Sequence, residues 1–279
     1  RYRAAASARR GEEPLRYNWI SPLIISSHIP DIIYLGSQYV HRSFDRGRTW
    51  QKISPDLTRN KKQGDVPYST IKDLSESPLR FGLIYAGSDD GRVTMTHDGG
   101  YKWENIDTPA PDKWVCRVIA SRHNESTLYV AQTGYREDDF APYLWKSTDY
   151  GKTYTSIVGN LPFESINVVR EDPKNPNILY VGTDLGVFIT FDGGKNWETL
   201  HGKLGHLPVH DLVIQEKEND LVIATHAKGI YILPLNDVHS LDSKLRTTDL
   251  SILKLGTLER SENWGYDRKA PWDKSASND

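Results

Sequence analysis

The sequence is poor in sulfur: its 279 residues hold one cysteine, Cys116, and one methionine. A single thiol excludes an internal disulfide and any metal site built on two thiolates. Cys116 lies in "WVCRVIAS", an apolar run of strand character, which predicts a buried, inert thiol. Cysteine scarcity leaves the compartment open, because an exported protein can do without disulfides. No apolar run approaches the ~18 residues that a membrane span needs. No signal-peptide core is visible either; the opening "RYRAAASARRGEEP" is polar and arginine-rich and reads as a linker or a cut end. Formal net charge is only −2, which removes the electrostatic case for nucleic acid or an anionic membrane as partner. Sustained helical periodicity is missing between residues 17 and 235.

What is present is β-forming and repetitive. Tyr (15) and Trp (8) outnumber Phe (6), and 21 Gly and 15 Pro supply turn chemistry, a balance that leans toward all-β. One pattern occurs four times: "SFDRGRTW" (43–50), "THDGGYKW" (96–103), "STDYGKTY" (147–154) and "TFDGGKNW" (190–197). Each has a hydroxyl residue, an Asp two later, a Gly two after that and an aromatic three further on. The aspartates are Asp45, Asp98, Asp149 and Asp192, at spacings of 53, 51 and 43. A catalytic acid is seldom needed four times at one supersecondary period, whereas a turn is needed at every recurrence. The pattern therefore reads as architecture.

Each repeat extends upstream. "IIYLGSQYVHRSFDRG", "LIYAGSDDGRVTMTHDGG", "TLYVAQTG…YLWKSTDYG" and "ILYVGTDLGVFITFDGG" align as strand, small-residue turn, strand and Asp turn. An aromatic-led strand follows each, and another apolar run precedes each, making four strands per unit. A fifth unit, "VHDLVIQEKENDLVIATHAKGIYIL" (209–233), has three strands and no Asp turn. Four-stranded units of about 40–50 residues describe propeller blades. The expected organisation is an N-terminal arm at 1–16, an all-β propeller at 17–235 and an extension at 236–279 with one strand at 250–258. The blades fall at 17–54, 64–107, 113–158, 164–200 and 207–235.

These turns resemble the Asp boxes of bacterial-neuraminidase (BNR) repeats, S/T-x-D-x-G-x-x-W. The run from Tyr17 to Leu233, about four-fifths of the chain, resembles the sortilin-like (VPS10-type) and BNR-repeat "glycosyl hydrolase" propellers of secreted bacterial proteins. "RYNWISPLIIS" (16–26), "REDDFAPYLWKSTDYGKTY" (136–154) and the fifth unit carry the likeness beyond the boxes. The family's "THGRGI" is departed from at Ala227 and Lys228. The resemblance implies that each Asp sits in the hairpin between the outer two strands of a blade, accepting backbone N–H bonds. Gly47, Gly99, Gly151 and Gly193 would take positive φ, and Trp50, Trp103, Tyr154 and Trp197 would pack between blades. It also implies six or more blades in a closed ring, so that five are part of a larger one. The remainder is expected from the same polypeptide or another chain, with 209–233 completed by Ser251–Leu258 or by a partner's strand.

Candidate sites follow from the chemistry. A sialidase needs three arginines to grip a carboxylate, and the inner strands offer only Arg117 and Arg170. A general glycosidase needs two carboxylates over a groove. Glu137, Asp138 and Asp139 stand among Tyr135, Phe140 and Tyr143 in an insertion at 132–143, either a sugar site or a solvated loop. Asp73 and Asp211 fall in first strands and can face the channel, as can Asn18, Trp19, Trp114 and Asn167. His210 and His226 lack metal-ligand spacing and read as interblade hydrogen bonders. "GSDDG" (87–91) is a calcium candidate but also a plain hairpin turn, which is preferred. The ligand-binding candidates are thus Trp19, Trp114, Arg117, Tyr135, Asp138, Asp139 and His210, with no metal, no cofactor and no assigned catalytic residue. The expected function is an extracytoplasmic scaffold holding protein or glycan partners; the alternative is a glycoside hydrolase with a carboxylate pair on the channel face.

Overall fold

The computed structural model describes residues 11, 13–61, 67–200, 205–226 and 228–241. The expected strand at 250–258, most of the 1–16 arm and Ala227 lie outside the described residues. Residues up to Pro234 form one unit and Leu235–Asp279 a second, in which one short helix, α1 (Asn236–Ser240), is described.

The first unit is an all-β propeller of five antiparallel sheets, each laid down in chain order. The first holds β1 (Leu23–Ile25), β2 (Ile33–Gly36), β3 (Val40–Ser43) and β4 (Gln51–Lys52). The second holds β5 (Ile71–Glu76), β6 (Ile84–Ser88), β7 (Val93–Thr96) and β8 (Glu104–Asn105). The third holds β9 (Trp114–Ala120), β10 (Leu128–Gly134), β11 (Asp139–Ser147) and β12 (Thr155–Ser156). The fourth holds β13 (Ile166–Glu171), β14 (Leu179–Thr183), β15 (Gly186–Thr190) and β16 (Glu198–Thr199). The fifth holds β17 (Val209–Gln215), β18 (Asp220–Thr225) and β19 (Ile230–Pro234), and no fourth strand among the described residues.

The core lies between blades. Tyr34, Val40 and Ile53 pack on Leu74 and Ile84 of the next sheet. Tyr85, Val93 and Ile106 pack on Val118 and Leu128, and Tyr129, Leu144 and Ile157 on Val169, Leu179 and Trp197. Both faces of an inner blade are therefore covered, which is why the second strands open on apolar runs ("IYLG", "IYAG", "LYVA", "LYVG") instead of alternating. Close approach demands small residues where the second strand meets the next blade. A Cβ on Gly87 would stand 2.3 Å from Val115 Cγ1. Cys116 is buried in this core; its Sγ–H donates to Ile166 O, and burial pushes the thiol up to about 12.

The Asp turns join third and fourth strands. Asp45 Oδ1 accepts the Ser43 hydroxyl and the Thr49 N–H, at 2.7 and 2.8 Å, while Ser43 Oγ accepts the Gly47 N–H at 2.7 Å. Asp98, Asp149 and Asp192 repeat the arrangement with Thr96, Ser147 and Thr190. The carboxylate thus stands in for missing ladder bonds at a sharp turn.

The insertion at 132–143 is not a loop. It lengthens β10 and β11, which close on a single 3-10 turn at Tyr135–Glu137, with Gly134 paired to Asp139. Extended "DFAPY" continues the ladder because β-favouring Phe140 and Tyr143 flank the one proline.

Candidate functional site

Innermost strands are sheet edges, and their free backbone groups need partners. Side chains of the preceding blade supply several. Asp73 Oδ2 accepts the Val118 N–H at 2.8 Å and Ser75 Oγ the Ala120 N–H at 3.0 Å, both on β9. Arg170 Nε donates to Leu212 O on β17 at 2.6 Å. A bulge in the pairing of first and second strands recurs at Lys72, Cys116, Asn167 and His210, setting which residues turn toward the channel.

Four charged groups meet there. The guanidinium groups of Arg117 and Arg170 both contact Asp211 Oδ1, at 3.0 and 2.9 Å. Burial pushes the Asp73 carboxyl up, with Arg117 pulling it back. Burial also works against the charge on Arg117, but Asp73 and Asp211 outweigh it and hold the group above its ordinary value. A cavity of about 310 Å³ opens beside them, lined by Ile24, Asp73, Ser75, Arg122, Arg170 and Glu171. That is the small end of ligand-pocket sizes. Glu171 itself is engaged: its carboxylate accepts from Ser121 and Tyr129 hydroxyls and from the Arg122 N–H. Glu76 is held in the same way by Ser26, Tyr34 and the Ser27 N–H.

A second cluster surrounds the β10–β11 turn. Lys113 Nζ bridges Glu137 and Asp139 at 2.8 Å each, and the Tyr143 hydroxyl donates to Asp139 at 2.6 Å. Lys113 first, then Tyr143, holds the Asp139 carboxyl down at about 2. Such a carboxylate stays ionised at neutral pH and cannot serve as a general acid. Asp138 lies at the end of the 3-10 turn with φ 56°, and its side chain is exposed. Trp114 is buried, with the Arg136 guanidinium 4.0 Å above its ring and Tyr68 5.7 Å away. Tyr135 and Phe140 expose their rings, edge to face at 5.8 Å. Burial first, and then the nearby Arg117, lowers the Lys72 ammonium, with Arg136 acting in the same direction.

The other expected site residues stand apart from these clusters. Trp19 is 91% exposed. His210 is exposed and its ring lies against that of His226, with centroids 5.0 Å apart, so the two meet each other within the fifth blade. Asn167 donates to Asp184, within its own blade. Asn18 donates to Asp89, whose carboxylate also takes two bonds from Thr70, and Asp90 accepts the Arg59 N–H. The "GSDDG" carboxylates are therefore committed to donors from neighbouring segments. Lys113, Arg136 and Tyr68 were missed; only the adjacency of Lys113 to Trp114 hinted at them, because the contacts depend on strand register.

The family model for the BNR/Asp-box repeat matches residues 188–199, the fourth turn. The chain is a β-propeller built on BNR/Asp-box repeats. Over 143 residues, 48% of its length, it is 25% identical to sortilin of Rattus norvegicus, of which it spans 16%. Over 67 residues, 22% of its length, it is 39% identical to the probable oligoxyloglucan-reducing end-specific xyloglucanase of Neosartorya fischeri, of which it spans 8%. The propeller therefore corresponds to a small part of each curated relative. Among solved structures it resembles the β-propeller domain of Cps50 (Swd1) from Myceliophteria thermophila, with a TM-score of 0.61 at 14% identity. That match covers 84% of this chain and 70% of the other. No described helix is long and apolar enough to cross a membrane.

Proposed function

We propose that this propeller is an extracytoplasmic binding scaffold of the sortilin-like Asp-box type, presenting the β10–β11 end of its channel to a protein or glycan partner. One observation carries the reading. All the candidate carboxylates but the exposed Asp138 are tied into structural bonds, Asp73 to a strand edge, Asp211 to two arginines, Glu137 to Lys113, and Asp139 to Lys113 and Tyr143. Beside them the rings of Tyr135 and Phe140 stand exposed next to the Arg136–Trp114 stack. Exposed rings beside a cation favour binding over bond cleavage. The resemblance of the repeats to BNR-repeat propellers of secreted bacterial proteins supports the extracytoplasmic setting.

The alternative, a glycoside hydrolase, draws on Asp73, a channel carboxyl raised by burial, and on the local likeness to a xyloglucanase. One experiment separates the two. Xyloglucan oligosaccharides and a panel of aryl glycosides are tested for turnover, and the same sugars and a random peptide library for binding. Binding without turnover, weakened at least tenfold by Tyr135→Ala with Phe140→Ala, is the expected result. Turnover abolished by Asp73→Asn or Asp138→Asn would replace the scaffold reading with the enzyme.

A further inference from the structure

Successive blade junctions are built on one register, so a side chain at one junction shows what its counterpart at the next leaves undone. Between the first and second blades the outer groove is filled from within by Arg42. In the ladder Arg42 stands between Tyr34 and Gln51. Its guanidinium lies 4.6 Å over the Phe44 ring and donates to Gly99 O, in the next blade's Asp turn, at 3.2 Å. It also reaches the Tyr34 hydroxyl. A planar cation is thus held by a ring, a carbonyl and a phenol.

Between the second and third blades the same places hold other residues. Met95 stands where Arg42 does, between Tyr85 and Glu104. His97 replaces Phe44, and Tyr150, next after the box aspartate, replaces Gly99. Here the groove is open: a cavity of about 500 Å³ is lined by Met95, His97, Glu104, Asp107, Tyr150 and Lys152, among others. The counterparts of the groups that hold Arg42 stand unused. The Tyr85 hydroxyl and His97 Nδ1 are buried without a hydrogen-bond partner, and Tyr150 O accepts no bond among the described residues. Buried polar atoms ordinarily have partners, so two orphans at one junction mark a place for a ligand. The His97 ring is in position beside that of Tyr150, with centroids 4.8 Å apart. The cations already near are committed elsewhere. Arg80 is paired with Glu125 at 3.0 Å and Arg59 with Asp107 at 2.7 Å.

We propose that this slot binds the guanidinium of an arginine side chain carried by a partner protein, seated as Arg42 is seated one junction earlier. The group would lie over the His97 ring and donate to Tyr150 O and to the Glu104 carboxylate. Glu104 is the sharper half of the argument. It faces Met95 across the ladder where Arg42 faces the neutral amide of Gln51, so the open groove attracts a cation more than the filled one does. Its bond to Lys102 is an exposed ion pair and competes weakly. Met95 is unbranched and adaptable, so it can move aside and give the guanidinium the Tyr85 hydroxyl as well. Lysine fits less well, because a compact ammonium cannot stack on the ring and serve acceptors in one plane. The slot belongs to the third and fourth strands, outside the channel, and is independent of what the β10–β11 end binds.

Met95 is the only methionine in the sequence, so methyl-labelled methionine places one NMR reporter in the slot. N-acetylarginine amide, its lysine counterpart, its citrulline counterpart (planar but uncharged) and free arginine are titrated into the full chain. The Met95 methyl should shift saturably with the capped arginine, bind the lysine probe about threefold or more weakly, and ignore citrulline. Free arginine should bind more weakly than the capped residue, because its α-carboxylate meets Glu104 and Asp107. Glu104→Gln should weaken the capped arginine about threefold or more, and Lys152→Gln should strengthen it. Tyr135→Ala with Phe140→Ala should leave the titration unchanged. Met95→Arg supplies the side chain from within and should abolish the rise in melting temperature that the probe gives the parent, a rise that Met95→Leu keeps. If the arginine variant does not fold, Glu104→Gln on its exposed strand decides. The proposal is overturned by a methyl that shows no saturable shift, which includes a slot already taken by a group of this chain. It is equally overturned by an equal response to citrulline, by tighter binding of free arginine, or by Glu104→Gln binding as the parent does. A folded Met95→Arg chain that still gains melting temperature from the probe also counts against it.

Discussion

The fourth Asp box and the first share the Phe, Asp, Gly and Trp of the motif, and in both the aspartate closes the turn on a hydroxyl and on backbone N–H groups. Asp192 accepts from Thr190, Lys195 and Asn196; Asp45 accepts from Ser43 and Thr49. Around those turns everything differs. Trp197 is buried and clamps Ile157 of the blade before it, while Trp50 is half-buried with an orphan N–H. An Asp box is therefore two devices. One is a self-contained turn that forms wherever the short motif occurs. The other is a clamp between blades that exists only where a neighbour does.

Removing the clamp should have the largest effect. Trp197→Ala is expected to cost about 3–5 kcal/mol in urea unfolding, as for other large buried aromatics. Trp50→Ala should cost about 2 kcal/mol or less, since the ring is only half-buried and its N–H makes no bond for the substitution to lose. Equal losses would merge the two boxes and sink the distinction.

Next in size are the box glycines. Gly194→Ala adds a Cβ 2.7 Å from Ile157 at φ +95°, so strain and overlap combine; about 2–4 kcal/mol is expected. Gly47→Ala has the strain without the overlap, and about 1 kcal/mol is expected. Circular dichroism melts of the two variants, side by side, measure the difference.

The junction locks sharpen the comparison further. Tyr129→Phe removes the hydroxyl that donates to Glu171 across a junction and should cost about 1–2 kcal/mol. Tyr85 occupies the same place facing Ala120 and its buried hydroxyl has no partner, so Tyr85→Phe should be neutral or stabilising. A loss at Tyr85 matching that at Tyr129 would show that the junctions are not distinguished by these bonds.

The smallest expected effect is an equality. The Thr49 N–H first, then the Ser43 and Thr49 hydroxyls, holds the Asp45 carboxyl at about 2; the Thr153 hydroxyl, then its N–H, does the same for Asp149. A carboxyl whose folded value is depressed contributes stability above its unfolded value, about 4. That contribution is lost as pH falls through the folded value. Melting temperature should therefore be insensitive to these groups above pH 5 and fall between roughly pH 4 and pH 2. Asp45→Asn and Asp149→Asn should blunt that fall to the same extent, because both turns are local.

The boxes were legible in the sequence because every bond in them spans four residues or fewer. The clusters beside the channel were not. Asp73, Arg117, Arg170 and Asp211 come from four different sheets, and a one-residue bulge in each strand pair decides which way they turn. Lys113 meets Asp139 only because Thr133 pairs with Trp114 and Gly134 with Asp139. Hydrophobic pattern alone specifies a face; it does not specify such a shift. The insertion at 132–143 reads as a loop in the sequence because charged Arg136–Asp139 and the proline interrupt the apolar alternation, whereas the structure pairs Gln132 with Tyr143 and Gly134 with Asp139 through backbone groups that leave no side-chain pattern.

By itself the sequence determined a meander of four-stranded units, because a periodic turn with its own hydrogen bonds forces the chain to reverse at fixed intervals. It also determined that the thiol would be buried and inert. Only the tertiary structure decided which charges neutralise one another beside the channel, and which box aromatics find a carbonyl. Those outcomes depend on a neighbouring blade lying within about 3 Å, and that proximity comes from sheet packing between segments some fifty residues apart.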